Sequence, residues 1–131
     1  MDALTVLRRE HTRIEQLFTE FDSLSDCACA GRKAIMREID ELVRRHIAME
    51  EALIYRHLAK APEWADDRTT PLRSEEEHQL VLRLLDEIAR TECHAAVYVA
   101  RAHVVRDVLL HHMKEEEAYI FPVYAGFAQV A

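Results

Sequence analysis

Apolar residues recur at alternating spacings of three and four along most of this chain, in stretches too long for strands, and that periodicity admits little besides amphipathic helices. Leu4, Leu7, His11, Ile14, Phe18 and Phe21 form one such stripe and predict a first helix over about 3–24. Ile35, Ile39, Leu42, His46, Glu50 and Leu53 form a second, over about 32–60, which ends ahead of Pro62. His78, Val81, Leu82, Leu85 and Ile88 form a third. Val105, Leu109, His112, Glu116 and Tyr119 form a fourth, in a helix starting near Ala95 and stopped by Pro122. With only two glycines and three prolines in 131 residues there are few places to turn. The reading is all-α, with residues 1–131 forming a single domain as an up-and-down antiparallel four-helix bundle.

Two connections carry information of their own. Residues 62–73 (PEWADDRTTPLR) are polar and proline-flanked, the longest expected loop, with Trp64 placed to cap the bundle. The third helix has two possible starts, Thr70 as N-cap before Pro71, or Ser74 in a capping box with Glu77. The first connection, SDCACAG, contains Cys27 and Cys29; with Cys93 they make an odd number without C-x-x-C spacing. That pattern indicates neither a disulfide framework nor a zinc ribbon, and the cysteines read as reduced thiols, although oxidation or metal capture at Cys27 and Cys29 is conceivable.

The polar residues within the stripes are the chemical signal. HIAMEEALIY (46–55) and HMKEEEAYIF (112–121) share H-x-x-x-E-E-A-x-I-aromatic, a match at six of ten positions when the closing Tyr/Phe pair is counted. A spacing of four puts His46 beside Glu50, and His112 beside Glu116, one turn apart on one helix face. In an up-and-down bundle with a rise of about 1.5 Å per residue, His11 and His46 reach the same level, and His78 and His112 agree to about 5 Å. Four histidines and two glutamates on apolar stripes are costly to bury without a compensating partner, and a metal centre supplies one. Imidazole and carboxylate without thiolate suit iron, manganese or zinc, and carboxylates bridging within a bundle point to two ions, for which iron is the choice. Two six-coordinate ions offer about 12 positions; the protein fills about 8 and a solvent-derived bridge two more, which leaves roughly one open position per ion.

His111 and Glu115 have the same spacing and form an alternative pair, with the repeat alignment favouring His112 and Glu116. His57 shares a face with His46 but lies too far along the axis and reads as core or bundle end; His94 and His103 read as solvent-facing. Tyr55 reads as packing at the bundle end, unless local unwinding brings its phenol to the metals. Glu51, Glu75, Glu76 and Glu117 read as a solvated acidic face.

A net charge of -7 without a basic stripe argues against nucleic acid. No apolar run of about 20 residues and no apolar N-terminal signal segment is present, so the expectation is a cytoplasmic protein with no membrane association.

At His11, His46-x-x-x-Glu50, His78 and His112-x-x-x-Glu116 the sequence resembles the hemerythrin-like HHE cation-binding family over nearly its whole length. The resemblance implies a di-iron centre with an oxo or hydroxo bridge, the four histidines as terminal ligands and Glu50 and Glu116 as bridges. Oxygen-carrying hemerythrins have two histidines one turn apart on helix three, whereas the positions four away from His78 are Ser74 and Leu82. The four-histidine, two-glutamate set is more similar to the di-iron domain of bacterial proteins for iron-centre repair and nitric oxide handling. Those commonly carry an additional N-terminal cysteine-containing domain, which is not expected here.

The function expected is therefore binding of, or reaction with, O2, NO or peroxide at a non-haem di-iron centre, in sensing, detoxification or iron-centre repair. The alternatives are a non-catalytic iron store or sensor signalling to a protein partner, and a metal-free helical adaptor.

Overall fold

The computed structural model describes residues 2–25, 28–62 and 69–130. Trp64 and Cys27 lie outside them. Four long helices make up the described chain: α1 (Ala3–Asp22), α2 (Cys29–Glu50), α3 (Thr69–Ala89) and α4 (Ala96–Glu115). Among the described residues there is no strand. α1 packs on α2 and α3 on α4 as two hairpins, and the hairpins join with α1 against α4 and α2 against α3. This is the expected up-and-down ring.

The helix ends follow local chemistry. Asp2 caps α1 by accepting from the Thr5 amide at 2.9 Å. α3 begins at Thr69, close to the first of the two expected starts, and Pro71 falls in its first turn, where its missing amide has no helical partner to lose. The capping box does not form. Ser74 is fully buried inside the helix and Glu77 is engaged elsewhere.

Both α2 and α4 continue through a π-helical turn, Glu51–Tyr55 and Glu116–Ile120, into further α segments, Arg56–Leu58 and Phe121–Val130. These turns fall within one residue of matching places in the two copies of the repeat. They correct three expectations together. A π-turn spends more residues per revolution than an α-turn, so the inner face moves on: Ile54 and Tyr55, and Ile120 and Phe121, point inward, while Leu53 and Tyr119 are 38% and 55% exposed. Pro122 does not stop the last helix, because it sits in the first turn of the segment following the π-turn, where an N–H is dispensable.

The core has two apolar parts. A larger cluster, which includes Ile14, Phe18, Ile39, Val43, Leu85 and Leu109, fills the bundle toward the two short hairpin turns. A smaller one, Leu7, Ile54, Tyr55, Leu58, Ala61, Ile120 and Phe121, closes the other end. Along α1, α2 and α4 the buried histidines and glutamates fall between residues of these two clusters, and His78 joins them from α3, so a polar layer crosses the core among the described residues.

The expectation of three reduced thiols fails at two of them. Cys29, the first residue of α2, and Cys93, in the turn between α3 and α4, form a disulfide with Cα atoms 5.6 Å apart. No C-x-x-C motif announces it, because the partners are 64 residues apart and meet only when the two hairpins dock.

Candidate metal centre

Each long helix brings one histidine to the polar layer, and α2 and α4 each add a glutamate. His11, His46, Glu50, His78, His112 and Glu116 are all 2% exposed or less. His11 Nε2 lies 3.1 Å from His46 Nε2, and His78 Nε2 lies 3.0 Å from His112 Nε2, so the expected level mismatch in the second hairpin is absent at the rings.

The two glutamates stand between these histidine pairs, each turning a different oxygen to each pair. Glu50 Oε2 is 3.0 Å from His46 Nε2 and 3.6 Å from His11 Nε2, while its Oε1 is 3.1 Å from His78 Nε2. Glu116 Oε1 is 3.2 Å from His11 Nε2, while its Oε2 is 3.1 Å from His112 Nε2. The result is two overlapping four-residue sets, His11/His46/Glu50/Glu116 and Glu50/His78/His112/Glu116, with the donor atoms of each set within 4.8 Å of one another.

His111 is on the outside, its ring 3.8 Å from Glu115, and Arg73 occupies the Glu115 carboxylate at 2.6 Å. His57 is exposed near Tyr124 at the bundle end. His94 is exposed, and the partly exposed His103 ring bonds Asp22 at 2.9 Å.

A second ring of carboxylates holds the other imidazole nitrogens. Glu10 of α1 meets His46 Nδ1 at 2.8 Å, and Glu77 of α3 meets His112 Nδ1 at 2.9 Å. Glu51, which follows α2, meets His78 Nδ1 at 3.2 Å, and Glu117, beyond α4, lies 3.4 Å from His11 Nδ1 as an ion-pair contact without hydrogen-bond geometry. Each helix thus orients the histidine of the next, and the ring closes from α4 back to α1. Glu51 and Glu117 are therefore not simply a solvated face. The sequence does contain the signal, since each outer carboxylate is a chain neighbour of an inner residue: Glu10 precedes His11, Glu77 precedes His78, Glu51 follows Glu50 and Glu117 follows Glu116. What the sequence does not state is that each serves a neighbouring helix rather than its own.

An Nδ1–H held by a carboxylate leaves the Nε2 lone pair for a ligand and raises its basicity, the usual outer arrangement of a metal-bound histidine. Glu10→Gln or Glu77→Gln is expected to weaken metal binding by about 10–100-fold with the fold intact, measured by competition against a chelator.

Tyr55 is drawn in by its π-turn. Its hydroxyl donates to Glu116 Oε2 at 2.8 Å and its ring meets His78 edge-on. In the other half of the repeat the corresponding Phe121 stacks on His11 with centroids 5.4 Å apart and offers no hydroxyl. The packing expectation for Tyr55 is thus incomplete. Burial raises the phenol pKa far above its usual value, and the negative charges of Glu116 and Glu50 raise it further, so the group stays protonated.

Without metal, the charges of the layer compensate one another. Burial acts to lower the His46 pKa, but the carboxylates of Glu10 and Glu50 beside it prevail and push it up to about 9. His112 is likewise raised well above the usual value, against its burial, by Glu116, Glu50 and Glu77. Burial would raise Glu50, yet the surrounding imidazoles hold it well below the usual carboxylate range. For His46 the folded value exceeds the unfolded one, so the stabilisation is complete below pH about 6.5 and lost as pH rises through about 9. Metal-free protein should therefore lose on the order of 3 kcal/mol of stability across that window. Metal affinity should rise across the same window, because protons compete for Nε2. Denaturant titrations at several pH values, with and without metal, check for the two opposite slopes.

Compensation among the side chains is incomplete. Glu50 Oε2 and Glu116 Oε1, both facing the His11/His46 side, are buried without a hydrogen bond, as are His11 Nδ1 and the Ser74 hydroxyl. Two orphaned carboxylate oxygens directed at two imidazole nitrogens, in a dry core, fit a cation between them.

The family model of the hemerythrin HHE cation binding domain matches residues 2–125. No curated protein and no solved structure matches the chain significantly. No helix among the described residues is long and apolar enough to cross a membrane.

Proposed function

This chain belongs to the hemerythrin HHE cation-binding family, and on that premise we propose that its buried layer holds two iron ions and uses them to bind or react with a small molecule, dioxygen, nitric oxide or peroxide. The observation that carries the reading is the disposition of Glu50 and Glu116, each with one oxygen toward each histidine pair. A single ion would need only one of the two sets. Two overlapping sets that share both carboxylates are what a pair of bridged ions requires. The donors are imidazole and carboxylate, with no thiolate in either set, a chemistry suited to iron.

In this reading His11, His46, Glu50 and Glu116 would hold one ion, and Glu50, His78, His112 and Glu116 the other. Two iron ions so held would supply open coordination positions and electrons for a small oxidant. The chain supplies the rest. The apolar clusters on either side of the layer keep bulk water out and restrict access to small molecules. Neither position one turn from His78, Ser74 or Leu82, is a histidine, so this chain lacks the second helix-three histidine expected of an oxygen carrier. Tyr55, hydrogen-bonded to Glu116 and kept protonated, would be available to donate a hydrogen bond to a ligand that becomes negatively charged. Sensing, detoxification and iron-centre repair are all uses compatible with this chemistry.

Stopped-flow mixing of the reduced, metal-loaded protein with nitric oxide and with peroxide tests the proposal. A rapid, saturable reaction supports it; metals inert to both would leave an iron store or sensor. Tyr55→Phe should keep its metal and slow the peroxide reaction by about tenfold or more. Equal rates in the two proteins would reduce Tyr55 to a packing role.

A further inference from the structure

Far from the buried layer, a second group of metal-ligating side chains gathers at the other end of the bundle. Cys29 opens α2, and Glu92, Cys93 and His94 occupy the turn between α3 and α4. One donor atom from each of the four lies within 4.8 Å of the others. The Glu92 carboxylate organises the group: its Oε1 accepts from the His94 amide at 3.2 Å and lies 3.8 Å from the Cys93 sulfur. None of the four takes part in the His/Glu layer.

We propose that Cys29, Glu92, Cys93 and His94 form a second metal site, of the zinc type, closed to metal while the two cysteines are joined and opened by their reduction. Two thiolates, one imidazole and one carboxylate complete a tetrahedral set for Zn2+, and the donors differ in kind from the thiolate-free bundle layer. Cα atoms 5.6 Å apart serve both states. Rotation about the side-chain bonds takes the sulfurs from a covalent bond to about 3.8 Å, the separation of two thiolates on one tetrahedral zinc with Zn–S near 2.3 Å. Cys29 is also the first residue of a 22-residue helix, where the dipole favours the thiolate.

The chemistry balances. A small dithiol reductant gives two electrons and two protons to the disulfide and is itself oxidised to a disulfide, leaving two free thiols on the protein. Zn2+ then binds as the two thiols release their protons. In either state the hairpins remain tied at the same point, by sulfur–sulfur bonding or through the metal.

The test is zinc titration of the protein with its bundle centre already loaded, oxidised and after reduction by a dithiol that is then removed. The reduced form is expected to bind one more zinc per chain than the oxidised form. Co2+ in its place should give sulfur-to-metal charge-transfer absorption, which the bundle layer cannot produce. Cys29→Ser and Cys93→Ser should abolish the absorption, His94→Ala should weaken zinc by at least about tenfold, and Cys27→Ser should leave it unchanged. Circular dichroism separates lost binding from lost folding. Equal zinc uptake by the two forms would overturn the proposal and leave the disulfide as a staple only. Absorption that survives Cys93→Ser would overturn it as well.

Discussion

Glu50→Gln is expected to take the metal content of the purified protein from about two ions per chain to below one, the largest loss expected from any isosteric change in the chain. Glu50 is fully buried and faces all four imidazoles, so an amide there withdraws charge and a donor from both histidine pairs. The cost extends to the metal-free protein. The negative charge on Glu50 helps to raise the pKa values of His11, His46 and His112 against their burial. Removing one partner of a buried ion pair leaves the other uncompensated, and stability near neutral pH should fall by on the order of 3 kcal/mol. Glu115→Gln is the matched control. Glu115 is engaged by Arg73 at the surface, and its replacement should leave metal content unchanged and alter stability by no more than about 0.5 kcal/mol. Metal analysis and denaturant unfolding of the two variants check both parts.

Reduction of Cys29–Cys93 is the second large effect. The bond joins the start of α2 to the turn between α3 and α4, so it adds a covalent tie between two hairpins that also meet through packing and polar contacts such as His103–Asp22. The partners are 64 residues apart. On the chain-entropy account, closing a loop of that length restricts the unfolded ensemble by about 4 kcal/mol. Thermal unfolding with a dithiol and a chelator present should therefore occur roughly 10–15 °C lower than in the oxidised protein. Metal in the bundle layer should stay in place in the folded, reduced protein when no chelator is added. His46 is about 25 Å along α2 from Cys29, too far for the bond to shape the centre directly. An unfolding temperature unchanged by reduction would mean that packing already fixes the hairpins as firmly as the bond does.

The two halves of the structure were unequally legible in the sequence. The bundle follows from stripes such as Leu7, His11, Ile14 and Phe18, because a spacing of three and four leaves a helix no choice of which face to bury. The inner layer was equally readable, since the repeat places His46 over Glu50 and His112 over Glu116, and the structure gathers those four with His11 and His78 in one buried cluster. His111 and His112 differ by about 100° around α4, and only His112 faces the buried layer: it is 2% exposed and the His111 side chain 73%.

Features that depend on non-local contacts or on departures from α geometry were hidden. An α-periodic reading puts Leu53 and Tyr119 inside, and only the π-turns replace them with Ile54, Tyr55, Ile120 and Phe121. The reach of Glu10 to His46 and of Glu117 to His11 crosses between helices, where spacing along one chain segment has nothing to report. The disulfide is hidden for the same reason.

Iron content with an optical spectrum, measured side by side on the native protein, His112→Ala and His111→Ala after expression with iron, tests the central claim most directly. The account predicts about two irons per chain in the native protein and in His111→Ala, and a marked loss with loss of the associated absorption in His112→Ala. Folded native protein without iron, or a site that empties in His111→Ala and stays full in His112→Ala, would contradict it.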